Sequence, residues 1–309
     1  MATNMVLLDG GMGKELRRIG APFRQPEWSA LALIEAPDRV AEAHANFADA
    51  GATVITTSNY AVVPYHLGDD RFAARGAELT ALAGRLARTV ADDADILVAG
   101  SLPPLFGSYR PDLFDADRAP ALLDTIVSAL APFVDIWLAE TLSSVAEIRA
   151  ALAALDRHGG DLPRWVSFTL DDHHHGHASQ PALPSGESIG AVAAALATEQ
   201  RVAAVLINCS LPEHITPAID ELRTCIGDTV RIGGYANAFP PAPKTHYEAN
   251  EAIHEARPDL TAERYADIVD RWIDGGATIV GGCCDITPAH IAELARRLDR
   301  RAGVGISEG

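Results

Sequence analysis

Short β-branched runs alternate with longer amphipathic stretches along almost the whole chain, and this alternation constrains the fold more than any other feature. Eight runs read as strands: Val6 to Asp9, Thr53 to Thr57, Ile96 to Gly100, Asp135 to Glu140, Trp165 to Leu170, Val202 to Asn208, Thr229 to Tyr235 and Ala277 to Gly282. Strands joined through helices pair in parallel, because each crossover returns the chain to the same end of the sheet. The intervening stretches carry helix signals. Ser144 and Glu147 have capping-box spacing, and Thr287 followed by Pro288 marks the start of the last helix. Gly51 and Gly276 stand in the related phrases ADAGATVI and IDGGATIV, where a glycine ends a helix in the left-handed conformation before the next strand.

Two architectures satisfy this order, a doubly wound open sheet and a closed (β/α)8 TIM barrel. The strand ends favour the barrel. They carry Asp9, Thr57, Gly100, Glu140, Thr169, Cys209, Tyr235 and Cys283, which a barrel gathers on one face and an open sheet spreads along a line. The expectation is therefore α/β, a single-domain barrel spanning residues 1–309. Its size is ordinary for that fold, and 48% hydrophobic residues suffice for one large core.

A formal charge of −17 and the lack of a basic stripe argue against a nucleic-acid partner. The opening phrase MATNMVLLDGGMG has no basic segment leading into a long apolar run, and no stretch is long and apolar enough to span a bilayer. A cytoplasmic protein without a membrane partner is expected. The Pro-rich stretch from Phe239 to Lys244 and the segment from Glu248 to Leu260 make a long connection after the seventh strand. Such connections are usually functional, and this one is expected at the mouth as a lid or as a contact in a homo-oligomer.

Four cysteines in a chain of this length do not make a secreted disulfide framework. Cys209 follows the sixth strand, and Cys283 and Cys284 follow the eighth, so a barrel brings three thiols together. Zinc favours tetrahedral sites, and a catalytic zinc commonly keeps three protein ligands and one open position. Adjacent cysteines both face one point only where the strand breaks into a turn, which Gly281 and Gly282 permit. Read from spacing alone, the three thiols fit inert core cysteines equally well. Cys225 falls in a helix, where a small buried hydrophobe is the expectation.

The chain resembles the homocysteine S-methyltransferase family in the phrases LLDGGMGKELRRIG, AET at 139–141, SFTL at 167–170, INC at 207–209 and GGCCDITPAHI at 281–291. The resemblance implies a (β/α)8 fold with Zn2+ held by Cys209, Cys283 and Cys284. It also implies that Asp9, with Gly10 and Gly11, and Glu140 receive the amino acid, their carboxylates facing its ammonium, with Asn208 among the substrate-binding residues. Tyr60, just after the second strand, is the candidate aromatic partner of a cationic methyl donor, and a packing role fits it equally well. The implied partners are an amino-acid thiol and a methyl donor. The implied reaction moves a methyl group from a sulfonium (S-methylmethionine or S-adenosylmethionine) or a betaine-like compound to the thiolate of L-homocysteine, giving methionine.

Three phrases depart from the family pattern, all on the expected active-site face. GGYANAFPP at 233–241 lacks an acidic residue, Lys14 stands where a threonine is common, and GSLPPLFGSYRPD follows the third strand. They bear on the identity of the donor. Histidines 173, 174, 175 and 177 offer a possible second metal site on a loop, and the plainer expectation is a solvated polar loop. Two further functions are weighed: a zinc or thiol redox sensor without turnover, and a metal-dependent hydrolase. The absence of GxGxxG after the first strand speaks against a Rossmann-type nucleotide site.

Overall fold

The computed structural model describes residues 5–172, 180–240 and 256–304. The chain runs β1 (Val6–Leu7), α1 (Met12–Arg18), α2 (Ser29–Glu35), α3 (Pro37–Asp49), β2 (Val54–Thr56), α4 (Pro64–Leu67), α5 (Asp69–Ala94), β3 (Leu97–Leu102), α6 (Ala119–Leu130) and β4 (Ile136–Leu142). It continues α7 (Val145–His158), β5 (Arg164–Phe168), α8 (Ile189–Leu196), β6 (Val202–Asn208), α9 (Pro212–Ile226), β7 (Arg231–Ala236), α10 (Ala262–Asp274), β8 (Ile279–Gly282) and α11 (Pro288–Val304). The eight strands pair in parallel in the order β1-β8-β7-β6-β5-β4-β3-β2. A parallel bridge from Leu8 to Val54 joins the two ends of that order. The result is a single-domain (β/α)8 TIM barrel, as the strand ends led us to expect.

Two apolar layers hold it together. Inside the barrel pack Leu8, Val54, Ala99, Ile136, Leu138, Trp165, Ala204, Leu206, Tyr235 and Ile279. Between strands and helices lies a larger layer that includes Val98, Trp137, Val166, Val205 and Trp272. The period of two along each strand explains this division. It also aims the chemistry, because the inward columns Ile136, Leu138, Glu140 and Ala204, Leu206, Asn208 end in polar groups at the carboxyl ends of the strands.

The expected helix boundaries are present. Ser144 caps α7 by accepting from the Glu147 N–H at 3.2 Å, and Glu147 Oε2 accepts from the Ser143 N–H at 2.7 Å. Gly51 and Gly276 have φ of 98° and 102°. One expectation fails. Cys225 lies on α9 as predicted but is exposed, in the last turn of that helix. β8 ends at Gly282 and breaks into a turn there, and the left-handed residue of that turn is Asp285, with φ of 63°. The glycines are needed for space, since a Cβ at Gly281 would overlap Leu8 and one at Gly282 would overlap Ile286. The histidine-rich stretch and most of the long connection after β7 lie outside the described residues. Among the described residues no helix is long and apolar enough to cross a membrane.

Candidate active site

The turn after β8 makes the cysteine cluster. Strand pairing stops at Gly282, and the Ile286 N–H closes back on the Cys283 carbonyl at 3.1 Å. Within that turn both Cys283 and Cys284 face Cys209, which follows β6. The Sγ atoms of Cys209 and Cys283 are 2.8 Å apart, those of Cys209 and Cys284 3.7 Å, and those of Cys283 and Cys284 4.0 Å. Zn–S bonds of about 2.3 Å at tetrahedral angles put sulfurs about 3.8 Å apart. Two of the three separations already match, and the third has to open by about 1 Å. The donor set is three soft sulfurs within reach of one ion, and it fits zinc.

Cys209 is held in an unusual backbone conformation, with φ of 52°. Its carbonyl accepts from Tyr109 Oη at 2.9 Å, Asn237 Nδ2 at 2.9 Å and Thr169 Oγ1 at 3.3 Å. These donors offset the strain of a left-handed non-glycine residue and fix where the thiol points. Hydrogen bonds from Cys283 and Cys284 hold the Cys209 thiol well below its usual range, so it ionises first. Donation to Cys209 in turn pushes Cys283 well up, and contact with Cys209 does the same to Cys284. A cation among the sulfurs would favour deprotonation of all three.

A cavity of about 220 Å³ opens over the cysteines. That is room for on the order of fifteen water-sized positions. Three carboxylates line it: Asp285 on the cysteine turn, Asp9 and Glu140. Asp9 accepts from the Thr56 N–H at 2.8 Å and Thr56 Oγ1 at 3.2 Å. Glu140 accepts from Ser101 Oγ at 2.5 Å and Tyr235 Oη at 3.3 Å. Burial pushes both up to about 7. A bound ammonium group reverses that shift by favouring the ionised forms.

Gly10 and Gly11 lie against the cysteine turn. The Gly11 N–H donates to the Ile286 carbonyl at 2.8 Å, and the Gly282 N–H donates to the Asp9 carbonyl at 2.9 Å. A Cβ at Gly11 would stand 2.8 Å from the Cys283 carbonyl oxygen and the Asp285 nitrogen. Glycine here allows the Asp9 turn to dock on the cysteine turn. Tyr60 also lines the cavity, its hydroxyl 2.7 Å from Ser108 Oγ.

The structure thus gathers Asp9, Gly10, Gly11, Tyr60, Glu140, Cys209, Cys283 and Cys284 around one space. Asn208 is placed differently. It is fully buried inside the barrel, its Oδ1 accepting from the Thr141 N–H at 2.9 Å and Ser167 Oγ at 2.7 Å, and its Nδ2 donating to Thr141 Oγ1 at 2.8 Å. These bonds occupy the amide and tie β4 to β5 and β6, so Asn208 does not line the cavity. Ser101, Ser108 and Tyr109 hydrogen-bond to Glu140, Tyr60 and Cys209, and sequence reasoning did not single them out one by one. Ser101 had a signal, because it continues the inward column of Ala99 on β3. Tyr109 lies in the phrase GSLPPLFGSYRPD, which places it on the active-site face but does not show that it reaches Cys209, 100 residues away in sequence.

Comparison with known proteins agrees with this geometry. The family model described as homocysteine S-methyltransferase matches residues 6–298. The chain belongs to the homocysteine S-methyltransferase family. The Escherichia coli homocysteine S-methyltransferase is 32% identical, over 95% of each chain. The Brassica oleracea selenocysteine Se-methyltransferase is 27% identical, over 96% of this chain and 89% of its own. Among solved structures, the metallated form of the E. coli homocysteine methyltransferase MmuM superposes with a TM-score of 0.77 at 29% identity, covering 96% of this chain and 97% of that one.

Proposed function

We propose that this protein transfers a methyl group from a sulfonium or betaine-like donor to the thiol of L-homocysteine, forming methionine, with Zn2+ held by Cys209, Cys283 and Cys284. The observation that carries this reading is the convergence of three thiols and the buried carboxylates of Asp9 and Glu140 on one cavity. When bound, zinc supplies the Lewis acidity that keeps a substrate thiol deprotonated near neutral pH. The remaining work belongs to side chains. Asp9 and Glu140 take the acceptor's ammonium, which orients its sulfur toward the cysteines. Tyr60 offers an aromatic face to the cationic methyl donor without a fixed counter-charge, so the positive charge that disappears during transfer is not overstabilised.

The two carboxylates distinguish this reading from a redox sensor, which has no need of an ammonium site. An all-thiol cluster likewise suits a water-activating hydrolase poorly, because sulfur donors weaken the metal's Lewis acidity. The test offers zinc-loaded protein L-homocysteine with S-methylmethionine, S-adenosylmethionine or glycine betaine in parallel. Methionine from one donor supports the reading and names the donor. No methionine from any of them refutes it.

A further inference from the structure

The cavity surrounds an amino-acid substrate with acidic groups: Asp9, Glu140, Asp285 and three thiols. Such a substrate also carries a carboxylate, and a carboxylate entering this space needs a cation. Among the described residues that line the cavity, Lys14 and Arg17 are the lysine and arginine side chains. They stand three residues apart on α1 and so share a face. Arg17 is exposed at the rim, its guanidinium 5.8 Å from the Phe23 ring centre. Lys14 is half-buried, and its Nζ lies 3.3 Å from Asp285 Oδ1.

That contact leaves Lys14 with donors to spare, since an ammonium has three. It also ties the lysine to the turn that carries Cys283 and Cys284, so the charge sits beside the reacting end of the cavity. The adjacent β2 sector contributes Ser58, which lines the same cavity and whose hydroxyl is buried without a partner. A lysine held by a single carboxylate in the cavity wall keeps donors for an anionic ligand group, and the buried Ser58 hydroxyl in the same wall is left without a partner.

We propose that Lys14 recognises the α-carboxylate of an amino-acid substrate, with its ammonium held in place by Asp285. The inference rests on the methyl-transfer reading for the nature of the substrates. Two of them carry the same group, the thiol acceptor and an amino-acid sulfonium donor, and the test separates them.

Lys14→Met removes the charge and keeps the side-chain length; Lys14→Arg keeps the charge. Zinc-loaded wild type and both variants are titrated calorimetrically with two pairs of compounds. One pair is homocysteine and its decarboxylated analogue aminopropanethiol. The other is S-methylmethionine and its decarboxylated analogue, aminopropyl dimethylsulfonium. In Lys14→Met we expect Kd to rise about tenfold to a hundredfold for the carboxylate-bearing member of at least one pair, with its decarboxylated analogue unchanged. Lys14→Arg is expected to recover part of the loss. The pair that responds identifies the substrate that Lys14 holds. Equal shifts for all four compounds would assign Lys14 to supporting the Asp285 turn and overturn the proposal, as would four unchanged values. A wild type that binds these compounds without turning over any donor defeats the methyl-transfer reading while leaving this comparison intact.

Discussion

Replacing Glu140 with glutamine separates what this residue does for the fold from what it does for a substrate. Glu140 is 7% exposed, and burial raises its carboxyl from 4.5 to about 7. A raised carboxyl means that the folded state holds its proton more tightly than the unfolded chain. Ionisation therefore costs stability, beginning above the unfolded value of 4.5 and levelling off above 7. With those two values the penalty grows by about 2.5 kcal/mol between pH 5 and pH 8. Glu140→Gln never ionises and escapes it. Urea denaturation of metal-free, reduced protein should show the variant gaining about 2.5 kcal/mol on the wild type over that pH range. Activity moves the other way. Loss of a charged partner for the acceptor's ammonium should raise its KM by about tenfold to a hundredfold. A stability difference that is flat with pH, or an unchanged acceptor KM, would refute the account of Glu140.

Three further outcomes are expected. Cys209→Ser should lose zinc and methyl transfer while keeping the far-UV circular dichroism of the wild type; full activity would remove the metal assignment. Asn208→Ala should lower stability by about 3 kcal/mol, because it orphans the Thr141 N–H and the Ser167 hydroxyl inside the barrel. An effect confined to acceptor KM would instead make Asn208 a substrate contact. Binding of L-methionine, whose ammonium stays charged throughout, should weaken about tenfold or more from pH 8 to pH 5.5 as Asp9 and Glu140 take up protons near 7. A pH-independent Kd would contradict the pairing of those carboxylates with the ammonium.

The barrel was legible because its strands are buried on both faces, so each appears as a β-branched run. Every predicted strand end falls within two residues of the observed one. The cysteine cluster was legible for a related reason: once eight parallel strands are assigned, residues after the sixth and eighth must rise on the same face. The environment of each residue was harder to read. Asn208 and Cys209 are neighbours in sequence, yet one continues the inward column of β6 into the barrel and the other turns out to the cavity through a positive φ. That change of direction is set by three donors to the Cys209 carbonyl, from Thr169, Tyr109 and Asn237, and no local pattern encodes it. Cys225 shows a similar limit. Helix periodicity places it on α9, but the side that faces solvent depends on how that helix packs on β6 and β7.

The central claim is that the three-cysteine site carries the reaction, and the most direct measurement is methyl transfer to L-homocysteine before and after removal of bound metal. Protein stripped with a chelator under reducing conditions should stop forming methionine and regain its rate when about one equivalent of Zn2+ is returned. Metal-free protein that turns over at the full rate would contradict the account.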